Sequence, residues 1–249
     1  MLETERAGYL IRQWVASNLY DRIRCVDDGE RGCPTAKLTA GRHSTRPFLS
    51  LIEKRWVAYQ LLTGLRHARE RNVSRHHSSL HPRATDSGAR PHQISHGDIK
   101  TENIVVTSWN WVYLTDFASF KPTFLPLDDP STFSFYFDSS SRRTCYLAPE
   151  RFYAPASDIA KRKDKLEFGK RDGKVTEAMD VFALGCVFAE LWMEGTPPFT
   201  LSQMFKYREG EYSPEAYLAE IEDVEIRVRQ LTAVHLVPAI ADPIATRRS

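Results

Sequence analysis

The stretch His92–Phe120, HQISHGDIKTENIVVTSWNWVYLTDFASF, places Asp98, Asn103 and Asp116 in close succession. An aspartate beside a cleft can accept a hydroxyl proton, and an asparagine and a second aspartate can hold magnesium against a triphosphate. One loop can present both Asp98 and Asn103 to the same cleft, and Asp116 follows the next predicted strand. Lys100 can place a positive charge on the phosphate. The ordered set therefore indicates phosphoryl transfer.

Composition predicts an ordinary soluble chain with one sizeable core. The chain has 249 residues, of which 42% are hydrophobic, and a formal net charge of +2. This charge gives no electrostatic reason to expect nucleic acid as a partner. The four cysteines form no CxxC pair, which favours the reducing cytoplasm. No apolar run approaches the roughly twenty residues that a membrane span needs, so membrane contact is expected only through a partner.

Hydrophobic periodicity predicts a mainly helical protein with one small strand pair. Two helices near the amino terminus are predicted from apolar residues three or four positions apart. In the first helix these residues are Leu10, Trp14, Val15 and Leu19, and in the second they are Ile52, Trp56, Tyr59, Leu62 and Leu65. The sequences NIVVT and WVYLTDF predict two strands joined by the turn SWN.

The carboxyl-terminal half has three further features. Residues 118–151 are predicted to be irregular, and a connection of this length is typical of a functional loop. The run TEAMDVFALGCVFAELWMEG, residues 176–195, is apolar nearly all round and predicts a central buried helix that Gly195 and the following prolines end. The run SPEAYLAEIEDVEIRVRQL, residues 213–231, predicts a weaker and more charged final helical region.

Two stretches lack periodicity and are rich in Gly, Pro, Ser, His and Arg. They are residues 24–43 and 71–94. We predict that both are disordered insertions and that the tail from about residue 228 is irregular.

Four motifs occur in the order found in protein kinases. HGDIKTEN resembles the catalytic loop, DFA the magnesium-binding DFG, APE the end of the activation segment, and DVFALGC the central helix of the large lobe. More narrowly, the runs SHGDIKTENIVVTSWNWVYLTDFASFKPTFLP, RRTCYLAPERF and STRPFLSLIEKRW closely resemble the kinase-like regulatory subunits of class III phosphatidylinositol 3-kinase complexes.

The resemblance implies that residues 1–249 are a partial kinase domain: a mainly α large (C-terminal) lobe with a small β-hairpin at the active-site edge. The small lobe is expected to be missing, since no glycine-rich phosphate loop or VAIK-like lysine precedes the first helix. The implied cofactors are ATP or GTP and magnesium. The implied catalytic residues are Asp98 and Lys100, and the nucleotide would contact Lys100, Asn103 and Asp116. Asn103 and Asp116 would be the magnesium ligands.

Two further carboxylates have structural roles by the same resemblance. Asp180 would tether the backbone of the catalytic loop, and Glu150 would form an ion pair at the end of the activation segment. The arginine that usually pairs with Glu150 would lie beyond the deviant tail, so its partner is not assigned.

Three departures from the kinase pattern bear on regulation. Gly97 replaces the arginine that pairs with a phosphorylated activation loop, so this means of switching is absent. Ala118 replaces the glycine after Asp116 and Phe117, and it is expected to restrict flipping of that segment. Thr144 lies one position nearer APE than the usual threonine beside the substrate, so it is not assigned that role.

The motifs predict a non-specific serine/threonine protein kinase. The narrower resemblance implies a regulatory subunit that recruits and regulates the class III phosphatidylinositol 3-kinase catalytic subunit, and other members of its complex, in autophagy and endosome or vacuole sorting. It would be cytoplasmic and peripheral on endosomal, vacuolar or autophagosomal membranes. The alternative is a catalytically inactive pseudokinase scaffold. We expect the isolated chain to be inactive, because a nucleotide without a small lobe would have one face in water.

Overall fold

The computed structural model describes residues 2–3, 8–9, 14–24, 49–70, 94–117, 120–163, 165 and 172–223. Its helices are α1 (Leu19–Arg24), α2 (Leu51–Glu70), α3 (Pro130–Phe137), α4 (Asp158–Lys163), α5 (Glu177–Trp192), α6 (Leu201–Glu209) and α7 (Glu215–Ala219). Its strands are β1 (Leu2–Glu3), β2 (Gly8–Tyr9), β3 (Ile104–Val106), β4 (Val112–Leu114), β5 (Leu125–Pro126) and β6 (Phe152–Tyr153). Thr101–Asn103 and Pro149–Arg151 form single 3-10 turns.

The predicted central helix is confirmed as α5. The Thr176 hydroxyl caps it by accepting from the Met179 N–H, and most of its residues are buried. The chain leaves the helix at Gly195, which adopts a φ of +89°. Among the described helices, none combines the length and the apolarity needed to cross a bilayer.

The second predicted helix is confirmed as α2, but the face predicted to be buried is wrong except for Leu65. Ile52, Trp56, Tyr59 and Leu62 are exposed by between 40% and 80%. The residues that face the core are Val57, Ala58, Leu61 and Leu65. Apolar residues surround most of this helix, so spacing alone selects neither face. Tertiary contacts orient the helix, because the Gln60 side-chain amide bonds to the backbone of Asn110 and Val112.

The first predicted helix is shorter than expected. It begins at Leu19, and the predicted helical residues Trp14 and Val15 lie outside it, with Trp14 82% exposed. The preceding chain pairs with the edge of β3 instead, since the Val106 N–H donates to the Ser17 carbonyl at 3.0 Å. Asn18 then caps α1 by accepting from the Asp21 N–H at 2.8 Å. Leu10 lies outside the described residues.

The predicted hairpin is confirmed, with β3 and β4 antiparallel and Ile104 opposite Leu114. The prediction of only one strand pair is wrong, because β1 pairs with β2 and β5 pairs with β6. The β5–β6 pair is parallel and joins Leu125 to Phe152. Both pairs are too short to produce an alternating pattern, and the β5–β6 pair also depends on a contact distant in sequence.

The stretch 118–151, predicted to be irregular, contains helix α3. Asp129 caps α3 by accepting from the Ser131 N–H, Pro130 occupies its first turn, and Phe133 and Phe137 are buried. The run PSTFSFYF contains the helical spacing of Phe133 and Phe137, but apolar residues on other faces obscure it, so the helix was not predicted.

Helices α4 and α6 were also not predicted, and the final helical region is reduced to α7 within the described residues. Apart from their end residues Arg24 and Ile94, the two predicted insertions lie outside the described residues, as does the tail. The division of the chain into these parts stays a prediction.

Packing of α5 can be tested with one substitution at two positions. Val187 is 0% exposed and Val181 is 43% exposed on the same helix. We expect Val187→Ala to lower the free energy of unfolding by about 2 kcal/mol, because it removes buried carbon atoms and leaves a cavity. Val181→Ala is the matched control and should change it by less than about 0.5 kcal/mol. Urea unfolding measures both, and equal effects would contradict a buried α5.

Candidate active site

The loop of residues 96–103, which leads into β3, is fixed to α5 by Asp180. The two carboxylate oxygens of this buried residue accept from the backbone N–H groups of His96 and Gly97, each at 2.9 Å. Bonds from N–H groups to an ionised acceptor are short and strong. Gly97 has a φ of +79°, a conformation that glycine adopts without strain. The tethering role implied for Asp180 is therefore confirmed.

Arg151 also holds this loop. Its buried guanidinium donates to the carbonyls of Gly97 at 2.7 Å, Thr123 at 2.8 Å and Pro122 at 3.0 Å. Burial lowers the pKa of Arg151, and the nearby charge of Asp98 opposes this. Sequence reasoning missed Arg151, although its position directly after APE was an available signal. The arginine connects the loop to the segment that follows Phe117.

His96 aligns the loop with Asp116. Its Nε2 lies 2.9 Å from the Thr115 carbonyl, and its ring lies 4.4 Å from the Phe117 ring. Burial lowers the pKa of His96, which favours a neutral ring that donates from Nε2. The Thr115 N–H in turn donates to the Asn103 carbonyl at 2.9 Å. Thr115, the residue before Asp116, is thus hydrogen-bonded to His96 and Asn103, which are the two ends of the loop.

The structure brings Asp98, Lys100 and Asn103 together. The Asn103 amide donates to the Asp98 carbonyl at 2.9 Å and to its Oδ2 at 3.0 Å, and Asp98 is only 3% exposed. Lys100 Nζ lies 3.6 Å from the same Oδ2 and donates to the Phe137 carbonyl at 2.8 Å. Asp116 is exposed, with a φ of +61°. The sequence thus predicted the grouping, and the chemical roles of these residues stay predictions.

The oxygen atoms of this site fit magnesium. Among the described residues, neither the Asn103 Oδ1 nor the Asp116 carboxylate has a hydrogen-bond partner within the protein. An amide oxygen and a carboxylate are ligands that magnesium prefers, and it usually takes its remaining ligands from phosphates and water. The described part of the chain contains no group of three or more His, Cys, Asp or Glu side chains placed to hold a metal. The chemistry of these two oxygen groups is compatible with magnesium and a bound phosphate, and their role as magnesium ligands stays a prediction.

Lys121 is a second residue that sequence reasoning missed. Its Nζ lies 2.6 Å from Asp98 Oδ2, and both side chains are largely buried. Its position shortly after Asp116 gave no signal, because a lone lysine is usually a solvated surface residue. In the structure, Lys121 is the cation nearest to Asp98 among those whose ion pairs are described.

A buried ionic cluster lies next to this pair. Arg142 donates to Glu102 at 2.8 Å and to Glu190 at 2.6 Å, and Tyr146 also donates to Glu190. Burial raises the pKa of Glu190 although Arg142 opposes it. For Glu102, burial is also the largest influence and acts in the same direction, but the charge and the hydrogen bond of Arg142, together with smaller contributions that include the charge of Lys100, outweigh it, so that pKa is lowered. The Arg142 guanidinium also lies 3.7 Å from the centre of the Tyr20 ring.

Three other predicted positions have different outcomes. Within the described residues, Glu150 Oε2 is buried without a hydrogen-bond partner, so no ion pair is seen there. Thr144 is buried and forms a β-bridge with Thr200. Ala118 lies outside the described residues, and its effect on flipping stays a prediction.

No protein-family model matches the chain. It is 42% identical over 236 residues to the serine/threonine-protein kinase VPS15 of Arabidopsis thaliana and 43% identical over 237 residues to the probable serine/threonine-protein kinase vps15 of Dictyostelium discoideum. It is 41% identical over 242 residues to the serine/threonine-protein kinase VPS15 of Saccharomyces cerevisiae. These alignments cover 95%, 95% and 96% of the chain. The chain belongs to the VPS15 serine/threonine-protein kinase family.

The chain corresponds to a small part of these VPS15 proteins. It spans 12%, 9% and 13% of the Arabidopsis, Dictyostelium and Saccharomyces relatives. The helix-rich fold with small strand pairs agrees with a fragment of a kinase-like VPS15 protein. Family membership confirms the resemblance to these kinase-like proteins, and ATP and magnesium are the cofactors that kinase homologues generally imply.

Glu150 provides a test of site electrostatics. Burial raises the pKa of its carboxyl group, so the folded protein disfavours the ionised form. This group's contribution to stability is full below its unfolded pKa near 4.5 and is lost as the pH rises through the folded value. We expect Glu150→Gln to raise the urea midpoint at pH 7 and to have a smaller effect at pH 4.

Exposed Glu220 offers the matched control. Glu220→Gln should leave the difference between the two pH values unchanged. A lower midpoint for Glu150→Gln at pH 7 would show that the ionised carboxylate has a stabilising partner.

Proposed function

We propose that this chain forms the large lobe of a serine/threonine protein kinase-like regulatory subunit that binds magnesium with ATP or GTP. One observation carries the proposal: Asp98 and Asn103 are hydrogen-bonded on a loop in which the backbone of Gly97 bonds to both Asp180 and Arg151. Phosphoryl transfer depends mainly on positioning and charge, and a loop fixed in this way supplies positioning.

Each site residue has a distinct part in this proposal. Asp98 orients an acceptor hydroxyl and takes its proton. Lys100, buried 3.6 Å from Asp98, places positive charge near the transferred phosphate. Asn103 and Asp116 hold magnesium, which when bound neutralises charge on the phosphates. Asn103 also orients Asp98 through its amide, so one side chain contacts both the proposed magnesium ion and the residue that takes the proton.

The proposed role in the cell is regulatory. The protein recruits and regulates the catalytic subunit of the class III phosphatidylinositol 3-kinase within its complex, in autophagy and in endosome or vacuole sorting. It is cytoplasmic and peripheral on the membranes of those compartments. Membership of the VPS15 family and the close resemblance of the 95–126 and 142–152 runs to kinase-like regulatory subunits of that complex support this proposal.

A second candidate function is a pseudokinase scaffold that has no phosphoryl transfer of its own. The contact of Lys121 with Asp98 favours it, because the carboxylate oxygen that would take a proton already accepts from a lysine at 2.6 Å. Gly97 also removes the arginine through which phosphorylation usually orders this region.

The Asp98→Asn variant of the full-length protein separates the two candidates. If the protein is a kinase, transfer of labelled phosphate from magnesium-ATP to protein should fall by about 100-fold or more, because a positioned proton acceptor contributes about that much. Co-purification of the lipid kinase should be unchanged. Asp158→Asn is the matched control, since Asp158 is exposed on α4.

The other outcomes are equally informative. Transfer that persists in Asp98→Asn would refute the role of Asp98. Absence of transfer in the unmodified protein, together with normal assembly of the lipid kinase, would establish the scaffold. The isolated 249-residue chain is expected to show no transfer above background in the same assay.

A further inference from the structure

Helix α2 carries a row of exposed apolar side chains. Ile52, Tyr59 and Leu62 are 80%, 60% and 48% exposed. Residues three or four positions apart lie on one face of a helix, so these three form a single row that also contains Arg55. We call these four residues the α2 strip. Single exposed apolar residues are normal, whereas a contiguous row marks a surface that another element can cover.

Trp56 fixes the central ring of the α2 strip. Its own ring stacks on Tyr59, with the ring centres 5.8 Å apart, and meets the Trp111 ring edge-on at 5.9 Å. These contacts connect the α2 strip to the chain just before β4. Tyr59 is thus held in place by its neighbours, and a side chain that is already ordered loses less conformational entropy when another element packs on it.

The last described stretch of the chain ends at the α2 strip. Two guanidinium nitrogens of Arg55 donate to Asp223 Oδ2, at 3.0 Å and 2.9 Å, and the Asp223 side chain is only 3% exposed. Ile221, two positions earlier, is buried in a small cluster with Ala189 and Leu218. The chain therefore reaches Asp223 at a fixed place beside α2, and the next residue starts next to the α2 strip.

The sequence that follows matches this surface in pattern and in length. The run VEIRVRQL, residues 224–231, belongs to the final region predicted to be helical. Val224, Val228 and Leu231 are four and three positions apart, which places them on one face of a helix, and Ile226 would fall on the opposite face. A helix of this run is about 12 Å long, and the α2 strip extends for about 15 Å along its own helix.

We propose that residues 224–231 form a helix that docks on the α2 strip through the apolar face just described. Docking removes apolar side chains of both elements from water, which is favourable. The bond between Arg55 and Asp223 fixes where the docked helix begins. This inference goes beyond the proposed phosphoryl transfer and does not depend on it.

The covalent connection favours this occupant over a second copy of the chain or another protein. Because Asp223 already lies at the α2 strip, the effective concentration of the residues that follow it is on the order of millimolar. A separate molecule at micromolar concentration would have to bind far more tightly to take their place.

Photo-crosslinking in the full-length protein identifies what covers the α2 strip. With p-benzoylphenylalanine in place of Tyr59, we expect the main product to join position 59 to a peptide from residues 224–231 of the same chain. The same amino acid in place of Phe135, which is 77% exposed on α3, is the matched control and should give no such product. Mass spectrometry identifies the joined peptides, and the mass of the product separates bonds within one chain from bonds between two.

The other results of this experiment would overturn the proposal. They are a main product with a second copy, with another protein or with another part of the chain, and the absence of any product from position 59.

Amide hydrogen exchange in the full-length protein tests which face docks. We expect Val228→Ser to lower the protection factors of residues 224–231 by about tenfold, because burial of one such side chain contributes about that factor to the docking equilibrium. Ile226→Ser is the matched control and should leave them unchanged, as should both variants for α5. Equal effects of the two substitutions, or amides that are unprotected in the unmodified protein, would overturn the proposal.

A substitution on the α2 side covers the case in which Val228→Ser disturbs the docked helix itself. Leu62→Ser leaves residues 224–231 intact and should lower their protection factors by about tenfold as well. Phe135→Ser, on α3, is the control for an exposed apolar residue elsewhere. Protection that Leu62→Ser leaves unchanged would overturn the proposal.

Discussion

The geometry of the site depends on one buried carboxylate, Asp180. Its two oxygens accept from consecutive N–H groups of the loop, those of His96 and Gly97. Those bonds determine where His96 contacts the Thr115 carbonyl and where Asp98 meets Asn103. Asp180 belongs to α5, the most completely buried helix described, so its bonds attach the loop to a rigid part of the core. The position of the Asp98 carboxylate therefore depends on the packing of α5 in the core.

Local signals in the sequence were sufficient for some elements. The apolar run 176–195 and the hairpin around SWN were predicted because their neighbours in sequence are also their structural partners. The buried face of α2 was not predictable, since Gln60 finds its partners about fifty positions away, at Asn110 and Val112. Helix α3 was missed although Asp129, Pro130 and the four-residue spacing of Phe133 and Phe137 are helix signals, because Phe135 and Tyr136 add apolar residues on other faces of this short helix.

The candidate site divides in the same way. Motif spacing was enough to predict the grouping of Asp98, Lys100 and Asn103, since all lie on one short loop. Lys121, Arg142 and Arg151 were missed because each reaches its partners only after the chain has folded back on the loop. Lys121 and Arg142 pair with buried acids of the site, and Arg151 bonds to main-chain carbonyls around it.

Arg151 orders the 96–103 loop without a phosphate group. In kinases whose loop is ordered by an arginine paired with a phosphorylated residue, the conformation of the loop depends on earlier phosphorylation and dephosphorylation. Here the guanidinium donates to three main-chain carbonyls, which no enzyme adds or removes. The bonds that Arg151 makes to the loop therefore do not depend on phosphorylation. A change of this loop that acts through Arg151 has to break these main-chain hydrogen bonds.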